Sequence, residues 1–120
     1  MTLEQIIATY AAAWDEPNRN RRRDLLEESV APDAIYVDPT VELRGIPALI
    51  EHIDTVAARY PGSRLELLSL ADEHHGIARF GWRKVLADGT ELPDSIDVVE
   101  IAADGRLARI IGFLGPLRSV

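Results

Sequence analysis

The sequence contains no cysteine, and this absence excludes several kinds of site. Disulfide bridges, thiolate zinc sites and cysteine nucleophiles all need a side chain that the protein does not have. The sequence also has no apolar run long enough to cross a membrane. Because no basic segment precedes an apolar one near the first residue, we expect no signal peptide and a cytoplasmic protein.

Positive charge is scarce relative to negative charge. Thirteen Lys and Arg residues against 20 Asp and Glu give a formal net charge of −7, which argues against nucleic acid or a membrane surface as a partner. One segment, RNRRRD at residues 19–24, concentrates four arginines. It has no interleaved aromatic residues and acidic residues follow it, so we expect a solvated turn and helix start.

Glycine-rich phosphate loops and metal-ligand clusters are also missing. Gly105, Gly112 and Gly115 lie singly, in a predicted turn and at a strand end. His74 and His75 are neighbours in a predicted hairpin turn, where adjacent side chains diverge. We therefore expect neither a cofactor nor a metal.

The sequence does contain enough apolar residues for one folded domain, residues 1–120. Hydrophobic residues make up 47% and charged residues 28% of the chain, as in globular proteins. A chain of this size can bury a real core. No internal repeat, linker or low-complexity segment divides it.

The first half of the chain has the apolar period of amphipathic helices. Helices are predicted over residues 3–14, 21–29 and 45–60. Thr2 and Gln5 form the capping-box pattern at the start of the first helix, and Pro47 suits the first turn of the third. A short strand over residues 34–37 is predicted between the second and third helices.

After the third helix the apolar period changes from 3.6 to 2. Strands are predicted over residues 64–71, 76–87, 92–102 and 106–114. The connections between them contain the turn residues of hairpins. Helices followed by a run of antiparallel strands indicate an α+β fold.

The last two predicted strands are apolar on both faces. In the final strand, Leu107, Ile111 and Phe113 alternate with Ile110. Helices can cover one face of the sheet, and the other face would contact solvent in a monomer. Because such a patch usually marks an interface, we expect a homodimer formed through the outer face of the sheet.

The order of elements and four segments resemble the nuclear transport factor 2-like superfamily, which includes SnoaL-like cyclases and ketosteroid isomerases. The segments are an aromatic-bearing first helix, VDP after the first strand, RGIPALIEHI in the third helix and IDVVEIAADGRLARIIGFLG near the end. The resemblance implies a cone-shaped α+β barrel, in which a curved antiparallel sheet wraps around three helices of the N-terminal half. The fold alone does not fix the activity, because it hosts isomerases, dehydratases, cyclases, epoxide hydrolases and binding domains.

The resemblance to ketosteroid isomerases implies three catalytic residues. Asp38, in YVDP, matches the general base at the end of the first strand. Tyr10, in IIATYAAAW, and Asp97, in SIDVVEI, match the two donors of the oxyanion hole. Proton transfer next to a carbonyl needs both a base and donors for the developing enolate, so the residue types fit that chemistry.

Further residues are expected to shape the pocket. Trp14, Tyr36, Phe80 and Trp82 would narrow or flatten the cavity, which favours a small hydrophobic carbonyl compound over a bulky steroid. His52 lies three residues after Leu49 on the third helix and can reach the cavity. The full set of expected ligand contacts is Trp14, Tyr36, His52, Phe80, Trp82, Val99 and Phe113.

Other interpretations remain open from the sequence. Tyr10 can be an ordinary core residue, Asp38 can simply end a strand before Pro39, and Asp97 can pair with an arginine on a neighbouring strand. The candidates for that pairing are Arg79, Arg83 and Arg109. The corresponding alternative functions are a dimeric domain that binds a small ligand without catalysis, and a SnoaL-like cyclase.

Overall fold

The computed structural model describes residues 1–120 and contains three helices and seven strands. The helices are α1 (Leu3–Asp15), α2 (Arg19–Ser29) and α3 (Ile46–Arg59). The strands are β1 (Val30–Asp38), β2 (Val41–Arg44), β3 (Arg64–Leu67), β4 (Asp72–His74), β5 (Ile77–Val85), β6 (Ser95–Ile101) and β7 (Leu107–Phe113). None of the three helices is both long and apolar enough to span a membrane.

The helix starts follow local chemistry. At α1 the capping box is confirmed, because Gln5 N donates to Thr2 Oγ1 at 3.2 Å and Thr2 N donates to Gln5 Oε1 at 2.8 Å. Helix α2 begins two residues earlier than predicted, because the Asn18 side chain caps it by accepting from Arg21 N at 3.0 Å. Gly45, with a φ of +91°, leads the chain into α3.

The strands differ from the prediction in three places. Strand β1 starts at Val30, directly after α2. Strand β2 was not predicted; it pairs with β1 through a tight turn at Pro39 and Thr40. The strand predicted over residues 64–71 is divided into β3 and β4, which pair in succession with β5. At the break between them, Ser69 Oγ accepts a hydrogen bond from Gly81 N at 2.8 Å.

The sequence predicted a wholly antiparallel sheet, but the observed sheet is mixed. Its strand order is β2-β1-β7-β6-β5-β3, with β4 also paired to β5. Strand β1 lies parallel to β7, although every other pairing is antiparallel. The sheet is open, and it curves around the helices as a cone-shaped α+β fold. The expected fold class is therefore confirmed, apart from this one parallel pairing.

A register shift in β7 corrects the predicted faces. The pairing with β6 slips between Glu100 and Ile101, next to Leu107. As a result Leu107 and Ile110 are both fully buried, although strict alternation places them on opposite faces. Phe113 is 59% exposed and lies beside Ile96 on the outer face. The outer face has an apolar patch at these two residues and the Glu100–Arg109 pair farther along the same strands, and the homodimer through it stays a prediction.

The arginine-rich segment is not entirely solvated, which corrects another expectation. Arg22 is 4% exposed. Its guanidinium donates to the carbonyl oxygen of Glu16 at 2.8 and 3.2 Å and pairs with the carboxylate of Asp54 on α3. This one side chain therefore ties the end of α1 to α3, the two helices that cover the inner face of the sheet.

Candidate active site

A cavity of about 570 Å³ lies between helices α1 and α3 and the inner face of the sheet. This volume is in the range of small-molecule sites. Twenty residues line it. They include seven of the ten residues that the sequence predicted for the site, which are Tyr10, Trp14, Tyr36, Asp38, His52, Trp82 and Asp97.

The structure places the other three predicted ligand contacts elsewhere. Phe80 and Val99 are 3% and 0% exposed and pack in the hydrophobic core, outside the cavity lining. Phe113 lies on the outer face of β7, because it alternates with the buried Ile110 and Gly112. The alternation of residues within one strand does not show which part of the inner face lines the cavity and which part packs in the hydrophobic core.

Asp38 is surrounded by hydrogen-bond donors at the end of β1. Its Oδ1 accepts from Thr40 N at 2.7 Å, Thr40 Oγ1 at 2.6 Å and Val41 N at 3.2 Å. Its Oδ2 accepts from the Tyr36 hydroxyl at 2.7 Å. Burial alone would raise the pKa of Asp38, but the hydrogen bonds from Thr40 and Tyr36 outweigh it and lower the pKa below its usual value. Asp38 is therefore ionised at neutral pH.

An aromatic cluster closes the cavity around Asp38. The ring of His52 lies 5.4 Å from that of Tyr36 and 5.9 Å from that of Trp14, measured between centroids. His52 Nε2 is 3.4 Å from Asp38 Oδ2, but it makes no hydrogen bond in the protein. This nitrogen and the Nε1 of Trp14 are buried polar atoms without a hydrogen-bond partner, and both residues line the cavity.

Asp97 has the opposite environment. It is 6% exposed on β6, and its one side-chain partner is Trp82, whose Nε1 donates to Oδ1 at 2.9 Å. Burial raises the pKa of Asp97 to about 7; the Trp82 hydrogen bond opposes this, and the charge of Asp38 adds to it. Asp97 therefore keeps its proton to a much higher pH than Asp38 does.

The arginine partners considered from the sequence bind other carboxylates. Arg79 pairs with Asp72, Arg83 with Glu66 and Arg109 with Glu100. All these groups lie away from the cavity lining. Asp97 is consequently a buried carboxyl without a cation.

Tyr10 projects from α1 into the same cavity. The residue is 2% exposed, and burial, followed by the nearby charge of Asp97, raises the pKa of its phenol well above the usual value. The phenol therefore keeps its proton and can donate it in a hydrogen bond. Tyr36 has a raised pKa for the same leading reason, burial.

Gly112 brings the two carboxylates close together. It pairs with Asp97 across β6 and β7, and its other neighbour is the end of β1. A methyl group on Gly112 would lie 3.2 Å from Asp97 Oδ1 and 3.4 Å from Asp38 Cβ. Any side chain at this position would push into the space that the two aspartates occupy.

Sequence reasoning missed most of the other residues of the site, and four of them matter for its chemistry. Thr40 could have been found, since an Asp followed two residues later by Thr often forms a side-chain turn. Gly112 had no local signal, because its role depends on strand register. Arg59 and Lys84 also line the cavity, and their convergence depends on the tertiary arrangement of α3 and β5, which meet at Tyr60.

A protein from Agrobacterium tumefaciens strain C58, described as a candidate isomerase of the SnoaL-like family, has a similar crystal structure. It is 34% identical to this chain, with a TM-score of 0.88, and the match covers 97% of this chain and 100% of that one.

Two more distant structures share the fold. A candidate polyketide cyclase from Sinorhizobium meliloti is 21% identical with a TM-score of 0.72, and the match covers 91% of this chain and 94% of that one. A protein with a ketosteroid isomerase-like fold from Catenulispora acidiphila, in complex with trimethylamine, is 14% identical with a TM-score of 0.74. That match covers 95% of this chain and 88% of the other.

No curated protein matches the sequence. The family model described as "SnoaL-like domain" matches residues 7–110, which is most of the chain and includes Tyr10, Asp38 and Asp97. The chain belongs to the SnoaL-like family.

Proposed function

We propose that the protein is a cofactor-independent enzyme that transfers a proton on a small hydrophobic carbonyl compound, in an isomerase-like reaction. One observation carries this proposal. Two carboxyl groups flank Gly112 in a single cavity, and one has four hydrogen-bond donors whereas the other has one. Such a difference lets one carboxyl act as a base and the other as an acid.

Asp38 is the base in this scheme. Its ionised Oδ2 takes a proton from the carbon next to the substrate carbonyl. The electron pair of that C–H bond forms a C=C bond to the carbonyl carbon, and the π pair of the C=O bond moves onto the oxygen. Thr40 holds Oδ1, so the carboxylate is fixed in orientation before the substrate arrives. Tyr36 shares Oδ2 and keeps the free carboxylate ionised.

Tyr10 and protonated Asp97 are the donors for the developing enolate. The Trp82 indole occupies Oδ1 of Asp97, which leaves Oδ2 to carry the proton and donate it. Donors held in a buried site stabilise a developing negative charge more strongly than water does. In a substrate with a C=C bond next to the deprotonated carbon, the enolate extends over both double bonds. Asp38 then returns the proton to its far carbon, which moves the double bond and completes an isomerisation without net gain or loss of atoms.

A cyclase reaction is a second candidate, and the similarity to a candidate polyketide cyclase favours it. It would use the same residues for the first step. The enolate carbon would attack a second carbonyl of the same molecule, and the resulting alkoxide would take up the proton that Asp38 had removed.

A binding function without catalysis is the third candidate. It is favoured by the Asp38 carboxylate itself, since four donors reduce its basicity.

We further propose that the protein is cytoplasmic and forms a homodimer through the outer face of the sheet.

Deuterium exchange distinguishes catalysis from binding. Small hydrophobic ketones are incubated with the protein in D₂O, and loss of the proton next to the carbonyl is followed by ¹H NMR. We expect faster exchange with the native protein than with buffer, and a rate about 10²- to 10⁴-fold lower for Asp38→Asn. Tyr10→Phe and Asp97→Asn should each lower the rate about 10²- to 10³-fold.

Asp72→Asn is the matched control, because Asp72 is an exposed aspartate that pairs only with Arg79 outside the cavity. It should exchange at the native rate. Ketones that bind but exchange equally fast with native protein and Asp38→Asn would support the binding function instead.

A further inference from the structure

Two cationic side chains line the cavity, although the protein is acidic overall. They are Arg59, at the end of α3, and Lys84, near the end of β5. Lys84 is the only lysine in the chain. Both cations lie beside the ring of Tyr60: Arg59 Cζ is 5.4 Å and Lys84 Nζ is 6.0 Å from its centroid.

Neither of these cations has an ion-pair partner within the protein. The neighbouring arginines do have ion-pair partners: Arg64 pairs with Glu66, and Arg83 pairs with Glu66 and Glu91. The carboxylate whose charge acts on the pKa of Lys84 is that of Asp15. It accepts a hydrogen bond from Leu65 N at 2.8 Å and forms no ion pair. Burial lowers the pKa of Lys84, and Asp15 only partly opposes this.

Two separate elements place the cations at the same end of the cavity. Along α3, Arg59 follows His52 by seven residues, a rise of about 10 Å. Along β5, Lys84 follows Trp82 by two residues, or about 7 Å. His52 lies beside Asp38 and Trp82 beside Asp97, whereas both cations meet at the ring of Tyr60, so the two elements bring them to one place away from the catalytic groups.

Apolar side chains line the cavity near both groups. Leu65 and Leu92 lie beside Lys84, whereas Trp14 packs against His52 near Asp38. The cavity therefore combines proton-transfer groups, an apolar lining and, away from the proton-transfer groups, unpaired positive charge.

We propose that the natural ligand is an amphiphilic acid, with a carboxylate held between Arg59 and Lys84 and its reacting carbonyl at Asp38. The spacing of these groups fits a molecule whose carboxylate and carbonyl are separated by an apolar or aromatic body on the order of 10 Å long. A neutral compound of the same shape would leave both cations unpaired. The inference rests on the proposed use of this cavity and adds the charge of the ligand.

Binding without turnover tests this inference separately from catalysis. The probes are 4-phenylbutyrate and 4-phenylbutyramide, which have the same apolar body and differ in charge. Trp14 and Trp82 are the only tryptophans and both line the cavity, so their fluorescence reports occupancy. We expect the acid to bind at least about tenfold more tightly than the amide.

Variants identify the source of that preference. Lys84→Met and Arg59→Met should each reduce the preference for the acid, and the double variant should remove it while leaving the affinity for the amide within about twofold of native. Arg64→Met is the matched control, since Arg64 is exposed, pairs with Glu66 and does not line this cavity. It should keep the preference.

Three results would overturn the inference: equal affinities for acid and amide, no binding of either probe at millimolar concentration, or a preference that survives in the double variant. Failure of the proposed catalysis has a different signature. In that case Asp38→Asn and native protein would exchange ketone protons equally, whereas both would still prefer the acid.

Discussion

The indole of Trp82 donates a hydrogen bond of 2.9 Å to a carboxyl of Asp97 that has no cationic partner. A buried carboxylate with one neutral donor is poorly stabilised, so its protonated form is favoured up to about pH 7. This pair distinguishes Asp97 from Asp38, which lies on the other side of Gly112 and is held ionised by four donors.

Asp97 should make the protein less stable as pH rises. In the unfolded chain the carboxyl ionises near 3.8, whereas in the folded protein it keeps its proton up to about 7. The unfolded state therefore binds fewer protons between these values, and rising pH favours unfolding. We expect the native protein to lose up to a few kcal/mol relative to Asp97→Asn between pH 4 and pH 7. Urea unfolding at several pH values measures this difference, and parallel stability curves for the two proteins would contradict it.

Gly112→Ala should impair the site without preventing folding. The added methyl group lies 3.2 Å from Asp97 Oδ1, so the carboxyl must shift by a few tenths of an ångström. We expect about a 10- to 100-fold loss of kcat with a smaller change in KM. Gly81→Ala is the control, because a methyl group there meets Ser69 Oγ only at an ordinary 3.6 Å. Equal rates for the two variants would show that the approach at Gly112 is irrelevant to the site.

Tyr36→Phe should raise the pH at which Asp38 becomes ionised. The phenol donates to Oδ2 and stabilises the ionised carboxylate, so its removal raises the pKa of Asp38. The acidic limb of the pH–rate profile should move to higher pH in the same direction. Protein labelled with ¹³C in aspartate carboxyls gives the shift directly, and an unmoved Asp38 resonance would refute this role of Tyr36.

Arg22→Met should destabilise the fold through α1 and α3. Substitution leaves the Glu16 carbonyl without its donors and removes the buried partner of Asp54, which keeps only the exposed Arg19. Because Asp54 keeps partial contact with water, we expect a loss of about 2–4 kcal/mol in the free energy of unfolding. Arg23→Met, at an exposed position of the same helix, should change stability by less than about 0.5 kcal/mol. Similar losses of stability for both variants would show that the contacts of Arg22 stabilise the fold no more than an exposed arginine does.

Phe113→Glu should dissociate the proposed homodimer. Phe113 and Ile96 are neighbours on the outer face, with exposed fractions of 59% and 42%, and a charge buried in an apolar interface without a partner is costly. Analytical ultracentrifugation should give twice the chain mass for the native protein and for Leu70→Glu, an apolar residue exposed elsewhere. A native protein that sediments as a monomer would contradict the proposed interface.

Local chemistry made much of this fold predictable. The capping box at Thr2 and the change of apolar period after α3 indicated the element types, and the family resemblance pointed to Tyr10, Asp38 and Asp97. These three residues do line one cavity. Their catalytic roles remain proposals.

Long-range register was not predictable. The parallel pairing of β1 with β7 and the slip beside Leu107 depend on contacts between distant segments. For the same reason the sequence did not identify Trp82 as the partner of Asp97, and it placed Phe113 in the pocket. The sequence of a single strand shows which residues share a face, but not whether that face packs in the core, lines the cavity or contacts solvent.

The most direct test of this account is the protonation of the two aspartates in the native protein. Carboxyl ¹³C chemical shifts, assigned with Asp38→Asn and Asp97→Asn, should be followed from pH 3 to pH 9. The account predicts that Asp97 titrates near pH 7 and that Asp38 titrates below the usual value for aspartate. If both carboxyls titrate together near pH 4, the cavity has no division into acid and base, and the proposed proton transfer is wrong.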